Sequence, residues 1–276
     1  MMVLIAEDFI DFLLHVQKFK DGYQQVIVPC KNGNAGGTFK RIEKTVRDKI
    51  NLDTYRSDIP AKYLFYFPRE TVYPDKTSFP KRIVAGLKAC DLKALELLDQ
   101  ALLNSGFTDP LYAGWRENTT VISSDCNEIC KTCSCNLFGG KPFPEKGFDL
   151  NISRVKDKYV ITVGSVKGEE LLQFIDKETE LKEASPDEKE EISKNRENIF
   201  SLLEEQNNIF KTDGDFSEMR STDLKQWTDE SKDCVGCGAC TSVCPTCYCL
   251  ILNDYSHNNK FVKMRSYDSC QWHGYA

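Results

Sequence analysis

Cys234-Val235-Gly236-Cys237-Gly238-Ala239-Cys240-Thr241-Ser242-Val243-Cys244-Pro245 fits the C-x2-C-x2-C-x3-C-P run of bacterial ferredoxins, the spacing of a 4Fe-4S cluster. The spacing has a physical basis. Small residues at Gly236, Gly238 and Ala239 let a tight loop wrap three thiolates around one cubane while backbone N–H groups approach its sulfides. The fourth cysteine, carried one helical turn on, points away and in two-cluster ferredoxins ligates the neighbouring cluster; Pro245 then stops the helix. Paired C-x2-C also holds zinc, but zinc ribbons rarely place a third cysteine at x2 and Cys-Pro at x3. Because the run supplies three ligands to one cluster and one to another, more thiols are needed. Cys247, Cys249 and Cys270 are the local candidates, and a zinc knot from Cys247, Cys249, Cys270 and His273 is the alternative use of them. His15 and His257 carry no partner pattern.

Outward from this run, the chain has 13 cysteines in 276 residues. Four lie in Cys126–Cys135, seven between Cys234 and Cys270, and only Cys30 and Cys90 stand alone. Thiols buried as small hydrophobes would scatter. With an odd count, a long chain and no export signal, reduced thiols serving metal are the better reading than disulfides. Thr132-Cys133-Ser134-Cys135 echoes Thr246-Cys247-Tyr248-Cys249.

The first cysteine group falls in an α/β pattern. Residues 82–87 read as a strand, Asp91 to Leu103 as a helix with Leu92, Leu95, Leu98 and Leu102 on one face, and 119–123 as a second strand. If the two strands are parallel neighbours, Cys90 and the 126–135 loop meet outside their carboxyl ends, where α/β sheets place their sites. A thiolate at a helix N-terminus is favoured by the dipole. These arguments nominate Cys90, Cys126, Cys133 and Cys135 as ligands of a further cluster, with Cys130 spare. A structural zinc site or inert core thiols are the competing readings. Cys30, alone at a strand end, reads as structural.

The remaining elements frame these groups. Residues 7–19 read as an amphipathic helix, 25–29 and 63–67 as strands, 149–155 and 158–164 as a hairpin turned at Lys156-Asp157, and Gly168–Ile175 as a helix. Ser185-Pro186-Asp187-Glu188 is a capping box opening a helix to about Gln206, with Ile192, Ile199, Phe200 and Leu203 inward. Residues 32–37 are a turn-rich connector that fits neither a phosphate loop nor a dinucleotide fingerprint. The expected organisation is an α/β (α+β) domain over 1–210, a linker over 211–222 and a small ferredoxin-like iron–sulfur module over 223–276.

Charge and hydropathy narrow the function classes. The formal charge is −6, opposite to the Lys/Arg surplus that nucleic-acid binding requires. Segment 176–191, with eight acids and three bases, nearly accounts for it and reads as a solvated face. No apolar run approaches the ~20 residues of a membrane span, and Met1–Ala6 meets Glu7-Asp8 at once, unlike a signal peptide. A cytoplasmic location is expected. No Ser/His/Asp set, H-E-x-x-H or flavin fingerprint nominates a catalytic residue.

Gly86-Leu87-Lys88-Ala89-Cys90-Asp91, the Thr-Cys-x-Cys after Cys126, Cys237-Gly238-Ala239-Cys240-Thr241, Cys244-Pro245-Thr246-Cys247-Tyr248-Cys249 and Asp268-Ser269-Cys270-Gln271 resemble the electron-transfer β subunit of archaeal sulfhydrogenases. The corresponding iron–sulfur subunit of anaerobic sulfite reductases is similar. The resemblance runs from about Ile59 to Ala276. It implies an iron–sulfur subunit of an anaerobic oxidoreductase complex, relaying electrons between a flavin/NAD(P)-binding subunit and a catalytic subunit of hydrogenase or sulfite-reductase type. It also implies one to three 4Fe-4S clusters. Members of that family continue past Asp-Ser-Cys into a second ferredoxin run, whereas this chain stops at Tyr275-Ala276. The expectation is therefore an incomplete module, in which the partners of Cys244 and the fourth ligand of the Cys234/Cys237/Cys240 cluster are unassigned. A self-contained iron–sulfur flavoenzyme with FAD in the α/β part, or a zinc-stabilised interaction protein, would be the alternatives.

Overall fold

A computed structural model describes residues 1–18, 22–32, 35–42, 44–76, 78–210, 223–257 and 259–270. The expected linker 211–222 and His273 lie outside them. Strand β1 (Met2–Ile5) runs straight into helix α1 (Ala6–His15), which buries Phe9, Phe12 and Leu13. A single 3-10 turn extends the helix to Lys18. Strand β2 (Gln25–Asn32) is longer than its apolar run and pairs antiparallel with β3 (Ala35–Arg41). The connector expected over 32–37 is thus shorter than its glycine content suggested.

The aromatic run at 63–67, expected as a strand, is instead the end of a 3-10 turn over Ala61–Leu64. Ala61 and Lys62 in the turn, and Phe65 and Tyr66 just after it, are buried. That repeat of four belongs to a helical turn, whereas a strand would alternate every two. Strand β4 (Arg69–Tyr73) follows, and then the fully buried β5 (Arg82–Leu87).

Helix α2 (Ala89–Leu102) begins where the Asp91 carboxylate accepts the Lys88 backbone N–H at 3.0 Å. It buries Leu92, Leu95, Leu98 and Leu102, the face read from their spacing. Helix α3 (Pro110–Glu117) is capped by Asp109, which accepts from the N–H groups of Leu111 and Tyr112. Strand β6 (Thr119–Ser124) is also buried throughout. The hairpin β7 (Leu150–Val155) and β8 (Lys158–Val163) turns with Lys156 at φ 53°. Helix α4 (Val166–Glu178), the two-residue β9 (Lys182–Glu183) and the long helix α5 (Pro186–Gln206) complete this part.

Strand order in the large sheet is β3-β2-β5-β6-β7-β8-β1-β9. The β2-β5-β6-β7 stretch is parallel and the flanking pairs are antiparallel. Central parallel strands covered on both faces read as continuous apolar runs, as β5 does from Ile83 to Leu87, whereas the equally buried β6 has Val121 and Ile122 between pairs of threonines and serines. One face packs Ile83, Ala85 and Ile122 against α1 and α4 residues such as Phe9, Leu13, Leu171 and Ile175. The opposite face packs Val84, Leu87 and Val121 against Leu95, Leu98, Tyr112 and Trp115.

The C-terminal stretch contains α6 (Leu224–Glu230), α7 (Ala239–Val243) and the hairpin β10 (Leu250–His257) and β11 (Lys260–Tyr267). Its sheet is β10-β11-β4, so it draws a strand from 69–73. Leu250 and Tyr267 pack on the second core face beside Phe65 and Tyr66. No helix among the described residues is long and apolar enough to cross a membrane.

Candidate metal centres

All thirteen cysteines are free thiols. β5 and β6 are parallel neighbours, which brings the start of α2 beside the loop after β6. There Cys126 and Cys135 act electrostatically on Cys90, Cys133 and Cys135 on Cys126, and Cys135 on Cys133. Burial pushes the Cys90 thiol well above its ordinary range, and negative charge on Asp91, Cys126 and Cys135 adds to the rise. Burial also pushes Cys126 up to about 12, opposed by Lys88 and reinforced by Cys135 and Cys133. Burial raises Cys135 as well. A site that resists bare thiolates is one that gains most when a metal takes their charge.

The loop is held from several sides. Cys126 N–H donates to Pro142 O at 2.8 Å, and Gly140 N–H to Cys135 O at 2.9 Å. At the end of α5, Gln206 Nε2 donates to Cys130 O (3.1 Å) and Cys133 O (3.0 Å), and Asn207 Nδ2 donates to Cys133 O (2.9 Å). Beneath it, Lys88 is 1% exposed. Its ammonium donates to Leu52 O (2.9 Å), Ser124 Oγ (2.7 Å) and Asp125 O (3.1 Å), which uses all three hydrogens.

In the second group, Cys234, Cys237, Cys240 and Cys270 are exposed, while Cys244, Cys247 and Cys249 are half-buried. Gly236 and Gly238 have φ of 67° and 69°, left-handed values that glycine takes without Cβ strain and that curl the loop between its thiols. The half-buried trio rests on the 3-10 turn. Lys62 Nζ donates to Thr241 O and Cys247 O, both at 3.1 Å. Tyr63 Oη donates to Ser242 O and Tyr66 Oη to Tyr248 O, also at 3.1 Å. Tyr267 Oη is buried and is the side-chain polar atom left without a hydrogen-bond partner among the described residues.

Both groups contain a motif longer than the Thr-Cys-x-Cys echo. Cys130-Lys131-Thr132-Cys133-Ser134-Cys135 and Cys244-Pro245-Thr246-Cys247-Tyr248-Cys249 share C-x-T-C-x-C. Cys130 Sγ lies 3.3 Å from Thr132 Oγ1 and 3.3 Å from Cys133 Sγ; Cys244 Sγ lies 3.4 Å from Thr246 Oγ1. In each copy burial acts on the first thiol but is outweighed by hydrogen bonds to the threonine and the next cysteine, so Cys130 and Cys244 are lowered. The second thiol, Cys133 or Cys247, is pushed by burial and its neighbour up to about 11. Nothing in the spacing of lysines flagged Lys62 or Lys88, because tertiary packing alone buries them.

The donor set is soft thiol sulfur, which suits iron–sulfur clusters or zinc. Among the described residues, no three His, Cys, Asp or Glu side chains converge on a single-ion site. The unpartnered Tyr267 hydroxyl and the buried Lys62 ammonium beside Cys247 fit an anionic sulfur-rich group there.

Comparison with known proteins places the same chemistry here. Residues 233–276 match the family model described as a 4Fe-4S dicluster domain. Over 248 residues the chain is 29% identical to the sulfhydrogenase 2 subunit beta of Pyrococcus furiosus, covering 84% of this chain and 70% of that protein. The chain resembles sulfhydrogenase β subunits, and its cofactors are 4Fe-4S clusters.

Proposed function

We propose that the chain is an electron-transfer subunit of an oxidoreductase complex, passing electrons between a flavin/NAD(P)-binding subunit and a hydrogenase- or sulfite-reductase-type catalytic subunit. The observation that carries this is the pairing of two thiol groups, each on its own protein bed, with a dicluster-domain match at the C-terminal one. When bound, a 4Fe-4S cluster accepts and releases single electrons, its potential set by charge, hydrogen bonds and exposure.

The chain's own residues bind and orient. Cys90, Cys126, Cys133 and Cys135 hold one cluster, with Cys130 outside the set and α5 clamping the loop. Cys234, Cys237 and Cys240 supply three ligands to a second. Cys244, Cys247 and Cys249 take part in a further one, with Cys270 as the remaining thiol of the module. The first cluster faces one partner from the 1–210 unit, and the ferredoxin-like 223–276 unit presents the other. Free thiols suit the reducing cytoplasm.

The test is anoxic purification, iron and sulfide counting, and EPR of the dithionite-reduced protein. At least one 4Fe-4S signal is expected. Cys237→Ala removes one cluster signal and leaves that of the 126–135 region intact. A colourless, EPR-silent, iron-free protein overturns the reading, and zinc without acid-labile sulfide would replace it with a structural metal.

A further inference from the structure

Lys62 sits at the meeting of the two parts of the chain and is 1% exposed. Its ammonium reaches two carbonyls of the cysteine loop and lies 4.8 Å from the Tyr267 ring centroid and 5.3 Å from that of Tyr63. The charges acting on it are those of Cys247, Cys244 and Cys249, and no carboxylate is among them. A buried cation is costly unless an anion answers it, and among the described residues it is sulfur that is in place to do so.

Tyr267 poses the complementary problem. Its ring is wedged against Tyr63 and Tyr66, at centroid separations of 5.3 and 5.2 Å. Its hydroxyl is buried without an acceptor among the described residues. Among the charges acting on it is that of the Cys247 sulfur. A buried hydroxyl left unpaired is destabilising, so such a group calls for an acceptor that the described residues do not provide.

We propose that Lys62 and Tyr267 form a seat for the cluster held by Cys244, Cys247 and Cys249, one by charge and one by a hydrogen bond to sulfur, so that a lysine of the α/β part and a tyrosine of the C-terminal hairpin together set the reduction potential of a centre in the C-terminal part. The inference rests on the preceding reading that these thiolates hold a cluster. Lys62 and Tyr267 are positioning residues and touch no substrate. Positive charge and donated hydrogen bonds both favour the more negative, reduced cluster, so both raise its potential.

The experiment is an EPR-monitored redox titration of the anoxically purified full chain and its Lys62→Met, Lys62→Arg and Tyr267→Phe variants. Iron and sulfide are counted on each, and denaturant stability is measured alongside. Lys62→Met lowers the midpoint of one C-terminal centre by a tenfold change in its reduced-to-oxidised ratio, 59 mV for a one-electron couple. Lys62→Arg restores the midpoint. Tyr267→Phe shifts it the same way by less, without loss of stability, since among the described residues the hydroxyl has no partner to lose. The signal from the Cys90 and Cys126 centre stays in place as the internal reference. Full iron and sulfide with unshifted midpoints in both Lys62→Met and Tyr267→Phe overturns the seat while leaving the electron-transfer reading standing. Absence of iron and sulfide in the parent chain overturns both. If Lys62→Met does not fold, Tyr267→Phe alone decides.

Discussion

Cys130 and Cys133 have sulfurs 3.3 Å apart, yet their acidities are driven in opposite directions. The Cys130 N–H donates to Cys133 Sγ at 3.3 Å, but burial and the neighbouring thiol outweigh it, and Cys133 rises to about 11. Cys130, with the Thr132 hydroxyl at its side, falls below its ordinary range. Cys244 and Cys247 repeat the division. The thiolate is the nucleophile, and a lowered thiol carries more of it at neutral pH. Brief iodoacetamide treatment of the cluster-stripped chain therefore labels Cys130 and Cys244 before Cys133 and Cys247. Raising the pH towards 11 closes the gap. Peptide mass spectrometry reads the order, and equal labelling at pH 7 would contradict it. At this scale the sequence was readable where chemistry is written in spacing, as in the ferredoxin run, and it placed Cys90 between a strand end and a helix start, where the structure has it. It was silent on Lys62 and Lys88, since nothing local to a lysine says that it will be enclosed. Cys30, read as structural, is fully buried within β2, opposite Thr38 of β3.

Helix α5 shows what an element can carry across the molecule. Ser185 Oγ accepts the Glu188 N–H at 3.2 Å, and the Glu188 carboxylate accepts the Ser185 N–H at 2.9 Å. At the far end of the helix, Gln206 and Asn207 grip the first cysteine loop. Ser185→Ala costs about 1 kcal/mol and shows as faster amide exchange over 187–190. The bond from Lys158, then that from the Ser185 N–H, holds Glu188 below the ordinary carboxylate range. A depressed carboxyl stabilises fully above its unfolded value and ceases to do so as pH falls through the folded one. Protection of the first turn of α5 is thus flat from neutrality down to the ordinary glutamate range and drops below it. Loss of protection on raising the pH instead would refute the assignment. The capping box was legible because its residues are contiguous. The 63–67 segment was not, because its aromatic β-propensity is overridden by a packing demand: Phe65 must enter the core while Tyr66 reaches Tyr248 O.

At the scale of the whole molecule, the C-terminal hairpin is fastened to the rest by a buried charge. Arg265, 4% exposed as a side chain, bonds Glu70 on β4 and Asp109, the cap of α3, and stacks 4.3 Å from the centre of the Tyr66 ring. Arg265→Ala leaves two mostly buried carboxylates without their cation, a loss of about 3–5 kcal/mol. Urea denaturation measures it, and a change below ~1 kcal/mol would mean the fastening lies elsewhere. The alternation of strands and helices made the parallel sheet readable, and with it the meeting of Cys90 with the 126–135 loop. The recruitment of β4 into the C-terminal sheet was not, for pairing between strands so far apart leaves no local trace.

That recruitment has a consequence for biosynthesis. The 69–73 segment leaves the ribosome nearly two hundred residues ahead of 260–267, a wait of about 10–40 s at typical translation speeds. Until the hairpin arrives, the nascent polypeptide carries an open strand edge, a template for unwanted association. Chaperone occupancy on stalled intermediates should peak in that interval and fall once the β10-β11 hairpin has emerged and paired one edge of β4.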